Sequence, residues 1–170
     1  MDITQQILAD HEEQRRMFAL LDELGEDPER LTPVWQRLVV LLEVHADAEE
    51  RLFYPRLLSA GAGADGAPSA AEETRDSIGD HNEIRDGIRR AGQHPVGSTD
   101  WWQAVSDTRV ANSDHMAEEE REALADFRRH TDPRVRYELG LEFAVYEAAR
   151  AGGVRPEDKD PDRYVSEHRR

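Results

Sequence analysis

No cysteine occurs among the 170 residues, which removes disulfides, thiolate catalysis, cysteine-ligated zinc and iron–sulfur clusters together. Any metal bound by this chain is therefore held by histidine, carboxylate or tyrosine. Long apolar runs are also missing. None approaches the about 20 residues of a membrane span, and the N-terminus, MDITQQILADHEEQRR, has no basic stretch leading into an apolar core. These absences describe a soluble, cytoplasmic protein. Positive charge is scarce, with 22 Lys+Arg against 37 Asp+Glu, a net charge of −15, and no basic stripe offsets it. A field of that sign repels phosphate backbones and anionic lipid, so neither nucleic acid nor a membrane surface is an expected partner. With 38% hydrophobic residues the chain can still bury one core, and its length suits a single bundle with appendages.

Glycine and proline interrupt the sequence at Gly25 to Pro28, Ser59 to Pro68 and Gly92 to Gly97, leaving four long segments. Inside them apolar residues recur at threes and fours: Ile3, Ile7, Phe18 and Leu21 in the first, Leu38, Leu41, Leu42 and Leu52 in the second. No stretch alternates with period two. Short connections make neighbouring helices antiparallel, so the expected fold is all-α, an up-down four-helix bundle over residues 1–130. A fifth segment, Pro133 to Ala151, has Asp132 to cap it, Pro133 for its first turn and Gly152-Gly153 to stop it, and predicts an additional helix within 131–152. Residues 153–170 are charged and proline-broken and read as a disordered tail. Trp101 and Trp102, following Ser98-Thr99-Asp100, are expected to staple the start of the fourth helix.

Laid over itself at an offset of 70, the chain repeats its polar residues. Asp10-His11 returns as Asp80-His81, Glu13 as Glu83 and Arg15 as Arg85. His45, Glu49, Glu50 and Arg51 return as His115, Glu119, Glu120 and Arg121. Apolar positions match less well, since Leu42 faces Asn112 and Phe53 faces Ala123. Packing does not require charged residues to be kept while leucines are lost, so the two halves are expected to contribute equivalent groups to one shared site. At roughly 100° per residue, His45 and Glu49 differ by about 40° and share a helix face, one turn apart. That face also carries Leu38, Leu41 and Leu52. His11 lies between Ile7 and Phe18 in the same manner, and His81 between Ile78 and Ile84. Depth agrees. His11 is about 15 residues before the first break and His45 about 17 after it, so both lie roughly 22–26 Å from that end. Histidines spaced 34, 36 and 34 apart thus converge on one layer with two glutamates. Such a buried cluster needs mutual neutralisation or a cation. Imidazole with carboxylate suits iron, manganese, zinc or cobalt better than calcium or magnesium, and six groups suit two ions sharing carboxylates.

The strings DHEEQR, HADAEERLFYP, DHNEIR and HMAEEER, with their order His, His-x-x-x-Glu, His, His-x-x-x-Glu, resemble the hemerythrin-like HHE cation-binding family over roughly residues 4–130. The resemblance implies an up-down four-helix bundle with a non-heme di-iron centre, two iron ions joined by an oxo or hydroxo bridge. Its ligands would be His11, His45, Glu49, His81, His115 and Glu119, with Glu49 and Glu119 bridging. Ferritin-like proteins carry Glu-x-x-His instead. The family's oxygen carriers have a fifth histidine in a His-x-x-x-His pair on the third helix, whereas the positions four from His81 are Ser77 and Arg85. Each iron would then keep a position open, which favours reaction over reversible carriage. In this the chain looks closer to bacterial relatives that decompose peroxide and to nitric-oxide-responsive iron–sulfur repair proteins. The latter usually carry a cysteine-bearing segment, and this chain has no cysteine.

The expected activity is peroxide decomposition at the di-iron centre, with hydrogen peroxide, O2 or NO as the small ligand. The alternatives are an O2 or NO sensor or iron-handling protein without turnover, a biosynthetic di-iron oxygenase, and a metal-free acidic bundle acting through a partner by its fifth segment and tail. Around the six residues, Arg15 and Arg85 share the face of the histidines four before them, and either border the open metal position, as is expected of Arg85, or form rim salt bridges. Tyr54 lies near 180° from His45 on an ideal helix, but Pro55 can kink the chain and swing it inward. Asn112 and Thr108 line a small pocket or hold a water. His94, His130 and His168 are expected in solvent. The Glu118-Glu119-Glu120 run reads as a solvated face with only Glu119 turned inward.

Overall fold

The computed structural model describes residues 1–63 and 69–169, so the break expected from Ser59 to Pro68 lies in part outside the described residues. The first helix, α1 (Ile3–Leu24), starts where Asp2 accepts the Thr4 N–H and stops at Gly25, whose φ of 67° suits a residue without Cβ. Next, α2 (Pro28–Ala48) is capped by Asp27 with Pro28 in its first turn. The chain then makes one π-helical turn, Glu49–Phe53, before α3 (Tyr54–Ala60). Pro55 explains this turn. It lacks an N–H and its ring crowds the carbonyl four residues back, so the helix widens and the Tyr54 N–H reaches the Glu49 carbonyl, five residues back.

A capping box between Ser69 and Glu72 opens α4 (Ala70–Ala91), and Ser98 caps α5 (Thr99–Arg121) as expected. After a break at Glu122 the chain continues as α6 (Ala123–His130). The break falls at the echo position of Leu52, so both halves of the repeat are disturbed just past their His-x-x-x-Glu. Among the described residues there is no strand, and α1, α2–α3, α4 and α5–α6 form the all-α bundle.

Two apolar clusters occupy the two ends of the bundle. One is built on Ile3, Ile7, Phe53, Leu57, Ile78, Leu124 and Phe127. The other is built on Phe18, Leu21, Trp35, Leu38, Ile84 and Trp101, with Trp35 and Trp101 edge to face at 5.7 Å. Between them lies a buried polar layer holding His11, Gln14, His45, Glu49, His81, Arg85, Asn112, His115 and Glu119.

The fifth segment is a helix, α7 (Pro133–Ala148), capped by Asp132 and ending three residues earlier than the sequence suggested. It crosses α1 and α2 with Leu139, Gly140 and Phe143 buried, and Phe143 stands edge-on to His45 at 6.0 Å. The disordered tail expected over 153–170 is corrected by α8 (Pro161–His168), capped by Asp160. Tyr164 and Val165 are buried, Asn82 and Lys159 exchange hydrogen bonds through the Lys159 backbone, Arg89 pairs with Asp158 at 2.7 Å and Arg75 with Asp162 at 2.6 Å. Ion pairs with α4 thus supply the attachment that a charged composition concealed. Lys159, the chain's single lysine, meets Glu50 beneath this strap.

At Gly140 a Cβ would lie 2.9 Å from the Ile3 nitrogen and 3.1 Å from the Asp2 carbonyl carbon, and backbone cannot yield there cheaply. Gly140→Ala is therefore expected to lower the unfolding free energy by about 1–3 kcal/mol in chemical denaturation. An unchanged midpoint would contradict the close docking of α7.

Candidate metal centre

His-x-x-x-Glu spacing on α2 and its echo on α5 turn His45, Glu49, His115 and Glu119 inward, while α1 and α4 each add one histidine. All four imidazoles are at most 3% exposed, and both glutamates at most 2%. The six side chains that the sequence singled out therefore come together. His45 Nε2 is 2.9 Å from Glu49 Oε1, His81 Nε2 is 3.3 Å from Glu49 Oε2, His11 Nε2 is 3.4 Å from Glu119 Oε2, and the Nε2 atoms of His81 and His115 are 3.2 Å apart. Two groups result, each with ligand atoms within 4.8 Å of one another: His11, His45, Glu49 and Glu119 in one, Glu49, His81 and His115 in the other. Glu49 belongs to both. His11 Nε2, His45 Nε2, Glu49 Oε1 and Glu119 Oε2 have no hydrogen-bond partner despite these approaches. Buried polar atoms gathered without mutual hydrogen bonds fit a cation among them, and the nitrogen and carboxylate donors suit iron, manganese, zinc or cobalt.

Every imidazole turns its other nitrogen toward a carboxylate on another helix, from the other half of the repeat for His11 and His81 and from the same half for His45 and His115. His11 Nδ1 meets Glu120 at 2.9 Å and His81 Nδ1 meets Glu50 at 2.8 Å. His45 Nδ1 faces Asp10 at 3.5 Å and His115 Nδ1 faces Asp80 at 3.4 Å. Glu50 with Glu120, and Asp10 with Asp80, are echo pairs, so the repeat holds these supports as well as the inner residues. Carboxylates at Nδ1 favour the Nδ1–H tautomer and leave Nε2 as the donor toward a metal.

The arginines occupy the same outer tier. Arg85 is 3% exposed and donates to Glu50 Oε1 at 2.7 Å, and Arg15 donates to Glu120 at 2.6 Å and to Glu12 at 2.8 Å. The expectation that Arg85 borders an open metal position is corrected: its guanidinium lies on the Nδ1 side of His81, drawn there by the Glu50 charge. Glu120 is corrected likewise, because it reaches inward to His11 rather than belonging to a solvated face. Tyr54 is inside. The π-helical turn rephases the helix, and the Tyr54 hydroxyl donates to Glu119 Oε1 at 2.9 Å, 3.4 Å from Glu49 Oε2. Asn112 donates to Gln14 Oε1 at 3.0 Å, and Thr108 to the Ala104 carbonyl, so both are engaged in the helix packing. His130 is exposed as expected, whereas His94 and His168 are half-buried, the latter stacked on Tyr164 at 4.2 Å.

A third group, Asp10 of α1, His45 of α2 and Glu147 of α7, shares His45 with the first. Glu147 was not legible in the sequence, since its echo position is Ser77. Burial and the neighbouring Asp10 push its carboxyl up to about 7. Burial would also raise Glu50, but His81, Arg85 and Lys159 hold it down to about 2. Hydrogen bonding from His11 and then from Arg15 likewise lowers Glu120 to about 2. Burial pulls His45 down, yet Glu49 and Asp10 outweigh it and keep its pKa well above 6.5. The same opposition, resolved by carboxylates, raises His11 and His115. Burial followed by the charges of Glu119 and Glu49 raises Tyr54 well above 10.

The family model described as the hemerythrin HHE cation-binding domain matches residues 2–127. No curated protein and no solved structure matches the chain. Among the described residues no helix is long and apolar enough to cross a membrane.

Without metal, protons on the raised histidines neutralise the buried carboxylates. A raised pKa stabilises the fold below the unfolded value of 6.5 and loses that contribution as pH rises through the folded value. The chelated protein is therefore expected to melt at lower temperature at pH 9 than at pH 6. A higher melting temperature at pH 9 would contradict this charge balance.

Proposed function

The chain belongs to the hemerythrin HHE cation-binding domain family, and we propose that it holds two iron ions and decomposes hydrogen peroxide. The ligands in this reading are His11 and His45 at one position, His81 and His115 at the other, and Glu49 and Glu119 between them. The supporting observation is the pair of donor groups that share Glu49 and contain buried atoms with no hydrogen bond. Bound iron supplies the redox change and the vacant coordination positions for the disproportionation of two peroxides to water and O2.

The protein residues set the conditions for that chemistry. Glu120 and Glu50 orient the imidazoles of His11 and His81 by hydrogen bonds at Nδ1, and Asp10 and Asp80 face the Nδ1 atoms of His45 and His115 at 3.5 and 3.4 Å. The apolar clusters at either end exclude bulk water and strengthen each charge interaction in the layer. Tyr54 holds its proton on Oη and directs it at Glu119 Oε1. Burial of the histidines, at 3% exposure or less, supports a small ligand over an organic substrate. That closure favours a second reading, reversible binding of O2 or NO without turnover, over a biosynthetic oxygenase.

Iron-supplemented protein is expected to contain close to two irons per chain by elemental analysis and to evolve O2 repeatedly from peroxide without bleaching. His45→Ala and His115→Ala are each expected to lose metal and at least about tenfold in rate. Two irons with a reversible spectral change and no O2 would support the sensor reading instead. A parent without iron would overturn both.

A further inference from the structure

The metal layer is enclosed, so a cation must cross protein to reach it, and the two apolar ends are the costliest route for a charge. The polar flanks differ from one another. Behind His81 the way is filled by Glu50 with Arg85 and Lys159, and behind His11 by Glu120 with Arg15. Beside His45, α7 covers the layer, and the groove there has Arg37 and Arg150 in its walls together with Asp10 and Glu147, so its carboxylates are offset by two cations. Each of these flanks presents cationic side chains to an arriving cation.

The remaining flank is a narrow cleft between α4 and α5–α6. Asp76, Asp80, Glu118 and Glu122 line it; no lysine or arginine is in its lining, and Arg121, outside it, pairs with Glu122 at 2.7 Å and leaves Asp76 and Glu118 to face the cleft. Its floor is Glu119, 2% exposed, with Oε2 lacking any hydrogen-bond partner and belonging to the first donor group. Asp80 connects the wall to His115 Nδ1 at 3.4 Å. Burial first, and then the charge of Asp80, raise the Asp76 carboxyl above its ordinary value against the opposing charge of Arg75.

The 70-residue repeat isolates what is special here. The echo positions of Asp76, Ser77, Glu118 and Glu122 are Gln6, Ile7, Ala48 and Leu52. In that half Ile7 and Ala48 are fully buried in the first apolar cluster, and Leu52 packs against it. Two flanks that began as equivalents have thus diverged, one covered by α7 around a groove that holds Arg37 and Arg150 beside Asp10 and Glu147, the other left among the described residues as a narrow acidic cleft. Maintenance of the inner ligands alone gives no reason for the second.

We propose that the α4/α5 cleft is the entry route by which a divalent metal cation reaches the buried centre, captured by Asp76, Glu118 and Glu122 and passed to Glu119. The inference rests on the metal-binding reading above and concerns the path, not the final site. The three outer carboxylates attract the hydrated ion, and Glu119, with an unengaged oxygen, exchanges it into the histidine layer.

The test is the rate at which chelator-treated full-length protein takes up Co2+, followed in stopped flow by the d–d absorption of the bound ion, with final metal content measured separately. The cleft variant is Asp76→Asn/Glu118→Gln/Glu122→Gln. A control of equal net charge, Glu23→Gln/Glu26→Gln/Glu29→Gln, alters exposed acids at the far end of the bundle. The cleft variant is expected to load roughly tenfold or more slowly at low salt, with a weakened salt dependence and unchanged final stoichiometry, while the control loads within about twofold of the parent. Equal slowing of both variants would assign the effect to the overall field and overturn the route. Parental rates in the cleft variant would overturn it while leaving the metal site standing. A parent that takes up no cobalt would overturn the metal-binding reading itself and the route with it.

Discussion

Six ionisable side chains buried in one layer, between two apolar clusters, constrain everything around them. A carboxylate or imidazolium in that setting is costly unless opposite charge or a cation is within reach. The chain meets this requirement in concentric tiers. Glu49 and Glu119 face the histidine Nε2 atoms, Asp10, Glu50, Asp80 and Glu120 face the Nδ1 atoms, and Arg15, Arg85 and Lys159 neutralise the outer glutamates. Apolar packing elsewhere is ordinary for a helical bundle, but here it has the added effect of holding the tiers in register and keeping water from the middle.

The internal repeat explains how one bundle acquires a symmetric interior, and the departures from the repeat show what each half was then adapted to do. Tyr54 has Leu124 as its echo, so only one half brings a phenol to the bridging carboxylates. Only the first half is covered by α7, which adds Glu147 to the neighbourhood of Asp10 and His45. The tail covers the other side and closes over Glu50 through Lys159 and Tyr164. The appended helices are thus parts of the enclosure around the polar layer, and among the described residues the acidic cleft between α4 and α5 is not covered by either of them.

Much of this was legible in the sequence, and the misses have physical causes. The inner six residues stood out because polar identity persisted at an offset of 70 while leucines did not. Glu50 and Glu120 were in the same echo, but each is one residue past an inward glutamate, about 100° around the helix, and its partner lies on another helix. A single-helix projection cannot show that. A constant angle per residue puts Tyr54 on the far face, and the inward swing expected from Pro55 is delivered by the π-helical turn ahead of it. The tail was misread because its burial rests on Tyr164 and Val165 alone, although Asp160-Pro161 repeats the cap-and-proline signal that marked α7 at Asp132-Pro133.

The central claim is that the two halves of the repeat build one centre holding two metal ions between them. It is tested most directly by an anomalous difference map at the iron edge from crystals of the iron-loaded protein. The account predicts two peaks about 3.5–4 Å apart, one against His11 and His45, the other against His81 and His115, with Glu49 between. A single peak, or a peak at Asp10, His45 and Glu147 in place of that pair, would contradict it.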